Sequence, residues 1–372
     1  MDDDAKIELQ PATIVIFGIT GDLSTRKLLP SLYELSKNRL LPKQTRILGI
    51  TNDASNLRTL LKRARAGIKA KDGRVNAREL KKLGKIIELR QMNAVEPHDY
   101  PELKSKLDYI EEEAGACTTR IFYLAVPPKI VPQIITNLGE YGLNYGCEKH
   151  CARSRLLLEK PFGFDVETAE RLINTTTKYF KEDQIFRIDH YLAKETVQNI
   201  VTFRFRNPVF EDTWNNAHIK RIEISADEKL DIEDRGRFYE QTGALRDLIQ
   251  SHLLHVMSVV MMDRPIDIAD ADDMHACRVR LLESIEPVKL KDAVRGQYDG
   301  YKNEAGNRHS HVETFAALKL YSRAERWYGV PIIVKTGKAL QAKETRISIY
   351  FKPELVDHGH ANRLDFYIQP RE

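Results

Sequence analysis

A polar segment near the middle of the sequence has the side chains of a phosphate-binding site. Residues 187–195 read Arg-Ile-Asp-His-Tyr-Leu-Ala-Lys-Glu. If this segment is helical, His190 and Lys194 share a face, with Tyr191 beside them. An imidazole, a phenol and an ammonium group converging on one point can bind a phosphate through charge-assisted hydrogen bonds. The alternative is a solvated polar helix start that binds nothing.

A second segment, residues 243–255, predicts an apolar helix with a few polar residues, among them His252 and His255. The imidazole pKa lies near neutrality, so His252 suits the removal of a proton from a hydroxyl group. A histidine in an apolar helix is more often a satisfied core residue. The two histidines could also be a metal pair, but no third ligand has a suitable spacing, and no metal is expected.

Residues 18–23, Gly-Ile-Thr-Gly-Asp-Leu, follow an apolar run at Thr13–Phe17 and precede a helical pattern. Glycines at this place allow a tight turn and let backbone amides approach a pyrophosphate at the helix amino terminus. A dinucleotide site is therefore predicted, although a tight strand–helix turn without a ligand can need the same glycines. The third position of the fingerprint is Ser24, which is small but is neither Gly nor Ala.

The segment Glu159–Gly163, Glu-Lys-Pro-Phe-Gly, follows another predicted strand. Open α/β sheets bind their ligands at the carboxyl ends of strands. Lys160 could therefore hydrogen-bond and position a substrate oxygen. The alternative is a surface lysine before a turn.

These segments require a sheet that brings strand ends together. Buried strands predicted at 13–17, 46–50, 120–126 and 155–158 alternate with helices, which indicates a doubly wound parallel sheet of the Rossmann type. Helices near 189–205 and 240–262 then precede strands predicted at 218–225, 312–321, 330–335, 345–351 and 363–368, as in an α+β domain with a mostly antiparallel sheet. We expect a dinucleotide-binding Rossmann domain at 1–185 and a substrate-binding α+β domain at 186–372.

The composition predicts an ordinary globular chain, with 42% hydrophobic residues, 30% charged residues and a net charge of +4. The acidic amino terminus lacks a secretory signal and no apolar run could cross a bilayer, so a cytoplasmic location without membrane contact is expected. Residues 58–90 are strongly basic but lack aromatic residues that could stack on bases, which favours a solvated helical surface over nucleic-acid binding. Cys147, His150 and Cys151 lie close together in the sequence and could form part of a metal site, but no fourth ligand has a suitable spacing, which favours chance proximity.

The motifs together resemble the glucose-6-phosphate dehydrogenases. The glycine turn, the Glu-Lys-Pro segment and the two histidine segments occur in the family's order. They are followed by Arg-Gly-Gln-Tyr at 295–298, Glu-Thr-Phe-Ala-Ala at 313–317 and Thr-Gly-Lys at 336–338. The resemblance runs from about residue 12 to the last residue. It implies oxidation of glucose 6-phosphate at C1 to 6-phosphogluconolactone with hydride transfer to NAD(P), the first step of the oxidative pentose phosphate pathway.

The resemblance also implies residue roles. His252 takes the C1 hydroxyl proton, and Asp189 orients and stabilises the His252 imidazole. Lys160 contacts substrate and cofactor, and Pro161 is implied to be a cis-proline. His190, Tyr191 and Lys194 bind the 6-phosphate, and further substrate contacts fall on Glu228, Asp247, Lys338 and Lys343. The cofactor-binding positions are Gly18, Thr20, Gly21, Asp22, Leu23, Lys27, Asn52 and Asp53. A homo-oligomer is implied as well.

Some positions depart from the family pattern. Asp234 stands where the family usually has Gly, Ala193 where it has Gly, and Ser251 where it has Asn. The family continues for a substantial stretch beyond the position of Glu372, which leaves oligomer assembly and any second cofactor site open. The alternative functions are another Rossmann sugar oxidoreductase with a Glu-Lys-Pro motif and a catalytically silent regulatory paralogue.

The choice between NAD and NADP depends on the residues after the second strand. Relatives that favour NADP usually carry an arginine three residues beyond the strand's glycine, and this position is Asn52, followed by Asp53. Asparagine cannot supply the charge that pairs with a 2′-phosphate, and Asp53 could accept from a free 2′-hydroxyl. We therefore expect NAD to be used at least as well as NADP. The alternatives are that Asn52 and Asp53 cap the next helix, or that a basic residue reaches the phosphate: Lys43, Arg46 or Arg58.

Overall fold

The computed structural model describes residues 10–116, 118–146, 154–353 and 362–369; Cys147, His150 and Cys151 lie outside this part of the chain. The chain divides between Ile188 and Asp189 into two compact units. They are called here the amino-terminal unit and the carboxy-terminal unit, and each has its own sheet and its own core.

The amino-terminal unit is built on a parallel sheet in the order β3-β2-β1-β4-β5-β6. The strand order reverses between β1 and β4, as in dinucleotide-binding folds, so the predicted Rossmann-type sheet is confirmed. Predicted strands coincide with β1, β2, β4 and β5, whereas β3 and β6 lacked a clear apolar run. The strands are β1 (Ala12–Phe17), β2 (Arg46–Thr51), β3 (Ile87–Gln91), β4 (Thr119–Leu124), β5 (Arg155–Leu158) and β6 (Ile185–Arg187).

Helices cover both faces of this sheet. Successive residues of β1 point to opposite faces of the sheet, and both faces are apolar: Val15 and Phe17 belong to one apolar cluster and Ile16 to another. The basic side chains of α2 and α3 are exposed, as predicted for a solvated helical surface. The helices are α1 (Leu29–Lys37), α2 (Leu57–Asp72), α3 (Ala77–Lys85), α4 (Tyr100–Ala114), α5 (Val131–Glu140) and α6 (Val166–Tyr179), with short 3₁₀ turns at Pro97–Asp99, Pro128–Ile130 and Glu182–Gln184.

The carboxy-terminal unit contains a second sheet in the order β12-β11-β7-β10-β9-β8. Only the β7–β10 pair is parallel, so the predicted mostly antiparallel sheet is confirmed. Ile222 and Ile224, at alternate positions of β7, face the core, as strand periodicity requires. The strands are β7 (Ile219–Asp227), β8 (Ala293–Gly296), β9 (Phe315–Leu320), β10 (Ile332–Gly337), β11 (Glu344–Phe351) and β12 (Arg363–Gln369).

Helices pack on the core face of this second sheet, where Trp214 and Trp327 are fully buried. A π-helical segment, Leu245–Leu253, connects two of them. The helices are α7 (Glu195–Phe205), α8 (Pro208–Glu211), α9 (Gly236–Ala244), α10 (Leu254–Met261), α11 (Ala271–Ser284) and α12 (Tyr301–Glu304), with 3₁₀ turns at Glu233–Arg235, Leu290–Asp292 and Glu325–Trp327. Within the described ranges of both units, no helix is long and apolar enough to cross a membrane.

One predicted helix begins later than expected. The segment 189–194 is a series of turns, and α7 begins only at Glu195. The physical reason is the side chain of Asp189, whose Oδ1 accepts from the amides of Tyr191 (2.8 Å) and Leu192 (3.3 Å). Aspartate competes in this way with helical hydrogen bonding and favours a turn. The prediction that His190 and Lys194 share a helix face is therefore wrong.

Candidate active site

A buried histidine–aspartate pair lies in the carboxy-terminal unit. The Nδ1 atom of His252 is 3.0 Å from Oδ1 of Asp189, and only 2% of the His252 surface is exposed. The pKa of Asp189 falls to about 2: burial alone would raise it, but the hydrogen bond and charge of His252 and the Tyr191 amide more than offset that effect. Because the carboxylate is ionised, Nδ1 of His252 donates to it. The Nε2 lone pair is then the one able to accept a proton.

Aromatic rings fix the orientation of the His252 imidazole. The Tyr191 ring stacks on it at a centroid distance of 4.4 Å, and the His190 ring meets it edge-on at 4.3 Å. The Tyr191 side chain is itself buried, and burial raises the pKa of its phenol. The structure thus brings together the two histidine-containing segments that the sequence singled out separately.

Lys194 lies at the end of the turn segment, beside the predicted phosphate residues. Its Nζ is 5.1 Å from the centroid of the Tyr191 ring. Lys194 is also the N-cap residue of α7, so its backbone lies at the positive end of a helix of 11 residues. His190, Tyr191 and Lys194 therefore come together through a turn that leads into a helix amino terminus.

A glycine and a carboxylate determine where the π-helical segment begins. Gly243 has a φ of 64°, and a Cβ atom at this position would lie 2.4 Å from Oε1 of Glu313. The same Oε1 atom of Glu313 accepts from the amide of Leu245 at 3.1 Å. The backbone oxygen of Glu313 accepts from the amide of Ala244 at 2.9 Å. Glu313 thus anchors the first turn of the segment that carries His252. The sequence shows Glu313 in a family motif, but its capping role depends on a long-range contact.

The remaining predicted substrate residues lie on nearby elements of the same unit. Lys338 is buried and forms an ion pair with Glu228, which follows β7 directly. Burial raises the pKa of Tyr191, and the charges of Glu228 and Asp247 raise it further, so both carboxylates interact with the Tyr191 phenol. Lys343 is exposed in the turn before β11 and has no described contact with this cluster.

The glycine turn closes the carboxyl end of β1 in the amino-terminal unit. Gly18 has a φ of 79°, and a Cβ there would lie 2.4 Å from the backbone oxygen of Ala125. The Gly18 oxygen accepts from the Gly21 amide and from the Ser24 hydroxyl, both at 2.9 Å. Ser24 is fully buried and so fills the third fingerprint position with a hydrogen bond. The turn fits a pyrophosphate, because side chains are excluded where the backbone must approach the ligand.

Other predicted cofactor residues surround this turn. Asp22 and Lys27 are exposed, and Leu23 is half-buried, at the start of the helical turns that contain the π-helical segment Ser24–Leu28. Asp22 forms an i,i+4 ion pair with Arg26 at 3.4 Å. Exposed pairs of this kind stabilise a helix only slightly, so Asp22 can exchange partners readily.

Asn52 and Asp53 follow the end of β2 and are both exposed. The hydroxyl of Thr51 accepts from the Asp53 amide at 3.3 Å and lies 3.2 Å from the hydroxyl of Thr20. The alternative that Asn52 and Asp53 cap the next helix is wrong. Asn56 is the N-cap of α2, and its side chain accepts from the third helical residue at 2.9 Å.

Lys160 lies two residues beyond the end of β5, half-buried, and the Lys160–Pro161 peptide bond is cis, as the resemblance implied. The preceding Glu159 accepts a hydrogen bond from the Tyr123 hydroxyl on β4 at 2.5 Å. Tyr123 thus holds the residue next to Lys160, a role that the strand pattern of Tyr123 did not predict.

The two histidines of the second segment have different side-chain partners. His252 Nδ1 faces Asp189, and His255 Nδ1 accepts from the guanidinium of Arg278 at 2.8 Å. Across the described residues, no group of three His, Cys, Asp or Glu side chains could hold a metal ion.

Comparisons with known proteins cover both units. The model of the glucose-6-phosphate dehydrogenase NAD binding domain matches residues 15–199, and that of the glucose-6-phosphate dehydrogenase C-terminal domain matches residues 201–372. The chain belongs to the glucose-6-phosphate dehydrogenase family. The family resemblance inferred from the sequence motifs is therefore confirmed, and with it a dehydrogenase that uses a nicotinamide dinucleotide.

Individual family members cover most of the chain. Glucose-6-phosphate 1-dehydrogenase of Chlamydia muridarum is 36% identical over 363 residues, which are 93% of this chain and 71% of that protein. A glucose-6-phosphate dehydrogenase solved with its substrate glucose 6-phosphate superposes with a TM-score of 0.89 and 31% identity, covering 98% of this chain and 77% of that one. The structure of glucose-6-phosphate 1-dehydrogenase from Mycobacterium avium superposes with a TM-score of 0.85 and 32% identity. The match covers 97% of this chain and 78% of that one.

Proposed function

We propose that the chain oxidises glucose 6-phosphate at C1 to 6-phosphogluconolactone, with His252 as the general base. The observation that carries the proposal is the buried Asp189–His252 pair, whose ionised carboxylate leaves Nε2 of His252 as the proton acceptor. His252 takes the proton of the C1 hydroxyl, and Asp189 stabilises the resulting imidazolium. The nicotinamide ring, when bound, accepts the hydride from C1.

The phosphate-binding role of His190, Tyr191 and Lys194 is part of the same proposal. The ammonium group of Lys194 and the amino end of α7 provide positive charge beside the Tyr191 ring. A phosphate at this place gains charge-assisted hydrogen bonds and a favourable helix dipole. Further substrate contacts, on the sugar hydroxyls and on the phosphate side, are proposed for Glu228, Asp247, Lys338 and Lys343. Lys160 is proposed as a contact to substrate and cofactor.

The proposed base is tested with His252→Asn. An amide keeps hydrogen-bonding capacity but cannot take up the proton, so kcat should fall by about 10²–10⁴-fold. The Michaelis constant should change little, and Asp189→Asn should also slow turnover. His275→Asn, on an exposed histidine of α11, is the matched control and should behave like wild type. Near-normal kcat in the His252 variant would contradict the mechanism.

We propose further that NAD is used at least as well as NADP. The residues at the end of β2, Asn52 and Asp53, offer no cation for a 2′-phosphate. Two of the alternative cations lie at the wrong end of the strand: Lys43 precedes β2, and Arg46 is its first residue, paired in register with Thr13. Among those alternatives, Arg58 in the first turn of α2 is the one that follows the carboxyl end of β2.

The cofactor proposal is tested by the ratio of kcat/KM for NAD and NADP, each measured at saturating glucose 6-phosphate. A ratio of one or more in favour of NAD is expected. The variant Asp53→Ala should move the ratio toward NADP, because it removes the negative charge that would repel a phosphate. A strong preference of the wild type for NADP would mean that Arg58 or another cation replaces the missing arginine.

A further inference from the structure

A network of side-chain hydrogen bonds joins α10 and α11, next in sequence to the segment that carries the proposed general base. Arg278 reaches from α11 to α10, where its Nη2 donates to Nδ1 of His255 at 2.8 Å and its Nε to the Ser258 hydroxyl at 3.1 Å. The Ser258 hydroxyl in turn donates to the backbone oxygen of His255 at 2.7 Å. A guanidinium group can only donate, so Nδ1 of His255 is an acceptor and the ring hydrogen of neutral His255 is on Nε2.

His255 follows His252 by three residues, so the network lies one helical turn from the proposed base. We propose that Arg278 is a positioning residue for the Asp189–His252 dyad, fixed by His255 and Ser258 so that its charge keeps Asp189 ionised and His252 neutral. This inference rests on the proposed function of His252.

The electrostatics of the three groups support the proposal. Burial lowers the pKa of Arg278, and the charge of Asp189 acts against that effect by raising it. His255, the third group, is neutral because its Nδ1 accepts from Arg278. Asp189 and Arg278 therefore interact although no direct hydrogen bond joins them.

The expected direction in which the pKa of His252 moves follows from charge repulsion. A fixed cation near His252 disfavours the imidazolium, so removing the Arg278 charge should raise the pKa of the base. Activity needs neutral His252, so the acid limb of the kcat/KM profile should move to higher pH. The other titratable or charged groups near the dyad, contributed by the turn segment, the π-helical segment, α10 and the ends of β7 and β10, are His190, Tyr191, Lys194, Asp247, His255, Glu228 and Lys338. None of these groups is changed in the test.

The experiment compares pH profiles of kcat/KM for wild type, Arg278→Gln and Arg278→Lys. Loss of the charge in R278Q should move the acid limb upward by about half a pH unit or more. R278K keeps the charge but not the planar donor pair, so its limb should stay near wild type while kcat falls. Arg280→Gln is the matched control on the same helix, because Arg280 contacts Cys277 and not the dyad, and its limb should not move.

Failure of this inference differs from failure of the proposed function. If wild type oxidises glucose 6-phosphate and His252→Asn is inactive, but R278Q keeps the wild-type limb, Arg278 does not act on the base and the inference is overturned. If R278Q does not fold, Arg278→Met, which also removes the charge, replaces it. An upward shift of the limb in R278M supports the inference, and an unmoved limb overturns it. If R278K moves the limb as far as R278Q does, the charge is not responsible.

Discussion

The phosphate-binding role of Lys194 depends on a single side chain and can be tested at that scale. Lys194→Ala should raise KM for glucose 6-phosphate by about ten-fold or more, because a charge-assisted contact contributes roughly 1.5–3 kcal/mol. KM for free glucose, which lacks the phosphate, should change much less. Steady-state kinetics with both sugars provide the measurement.

Lys220→Ala is the matched control for this prediction. Lys220 is an exposed lysine on β7, so the substitution removes the same charge away from the turn segment. It should leave both Michaelis constants near wild type. Equal effects of Lys194→Ala on glucose and glucose 6-phosphate would show that Lys194 does not bind the phosphate.

The sequence singled out candidate residues, and their roles stay predictions. His252 stood out as a polar residue in an apolar helix, and His190, Tyr191 and Lys194 stood out because helical spacing predicted a shared face. The residues that position these side chains could not be recognised from the sequence. Arg278 lies on a different helix from His252, and no spacing along the chain connects the two.

At the scale of elements, the strands with continuous apolar runs were predicted well. β1 and β2 are buried on both faces, so their sequence differs clearly from a helix. β3 contains Glu88 and Arg90, and β6 has only three residues, so neither shows such a run. Short or half-polar strands take their conformation from the strand beside which they lie.

Two elements near the candidate site depart from the ordinary α-helix, and local sequence does not predict either departure. The turn segment 189–194 depends on the Asp189 side chain accepting from two amides. The π-helical segment Leu245–Leu253 follows Gly243, whose positive φ is matched to the Glu313 carboxylate. Both irregular segments carry proposed catalytic residues, in keeping with the frequent occurrence of π-helical turns at functional sites.

At the scale of the whole molecule, proposed cofactor residues and proposed phosphate residues belong to different compact units. The glycine turn and the end of β2 are in the amino-terminal unit, and the turn segment 189–194 is in the carboxy-terminal unit. Each unit has its own apolar core, so each can respond to a ligand through its own local opening equilibria.

Hydrogen exchange measured by mass spectrometry can test this assignment of ligands to units. A ligand that binds only the closed form stabilises it by about 2.7 kcal/mol at a hundred times its Kd, enough to slow exchange through that opening by about 100-fold. NAD or NADP should slow exchange at the glycine turn, whose Gly18 and Ile19 amides bond to Ile50. Glucose 6-phosphate should slow exchange at 189–194. Lys194→Ala, the control, should weaken the sugar effect and keep the dinucleotide effect. Protection of the glycine turn by the sugar phosphate without protection of 189–194 would contradict the assignment, because the phosphate would then bind away from Lys194.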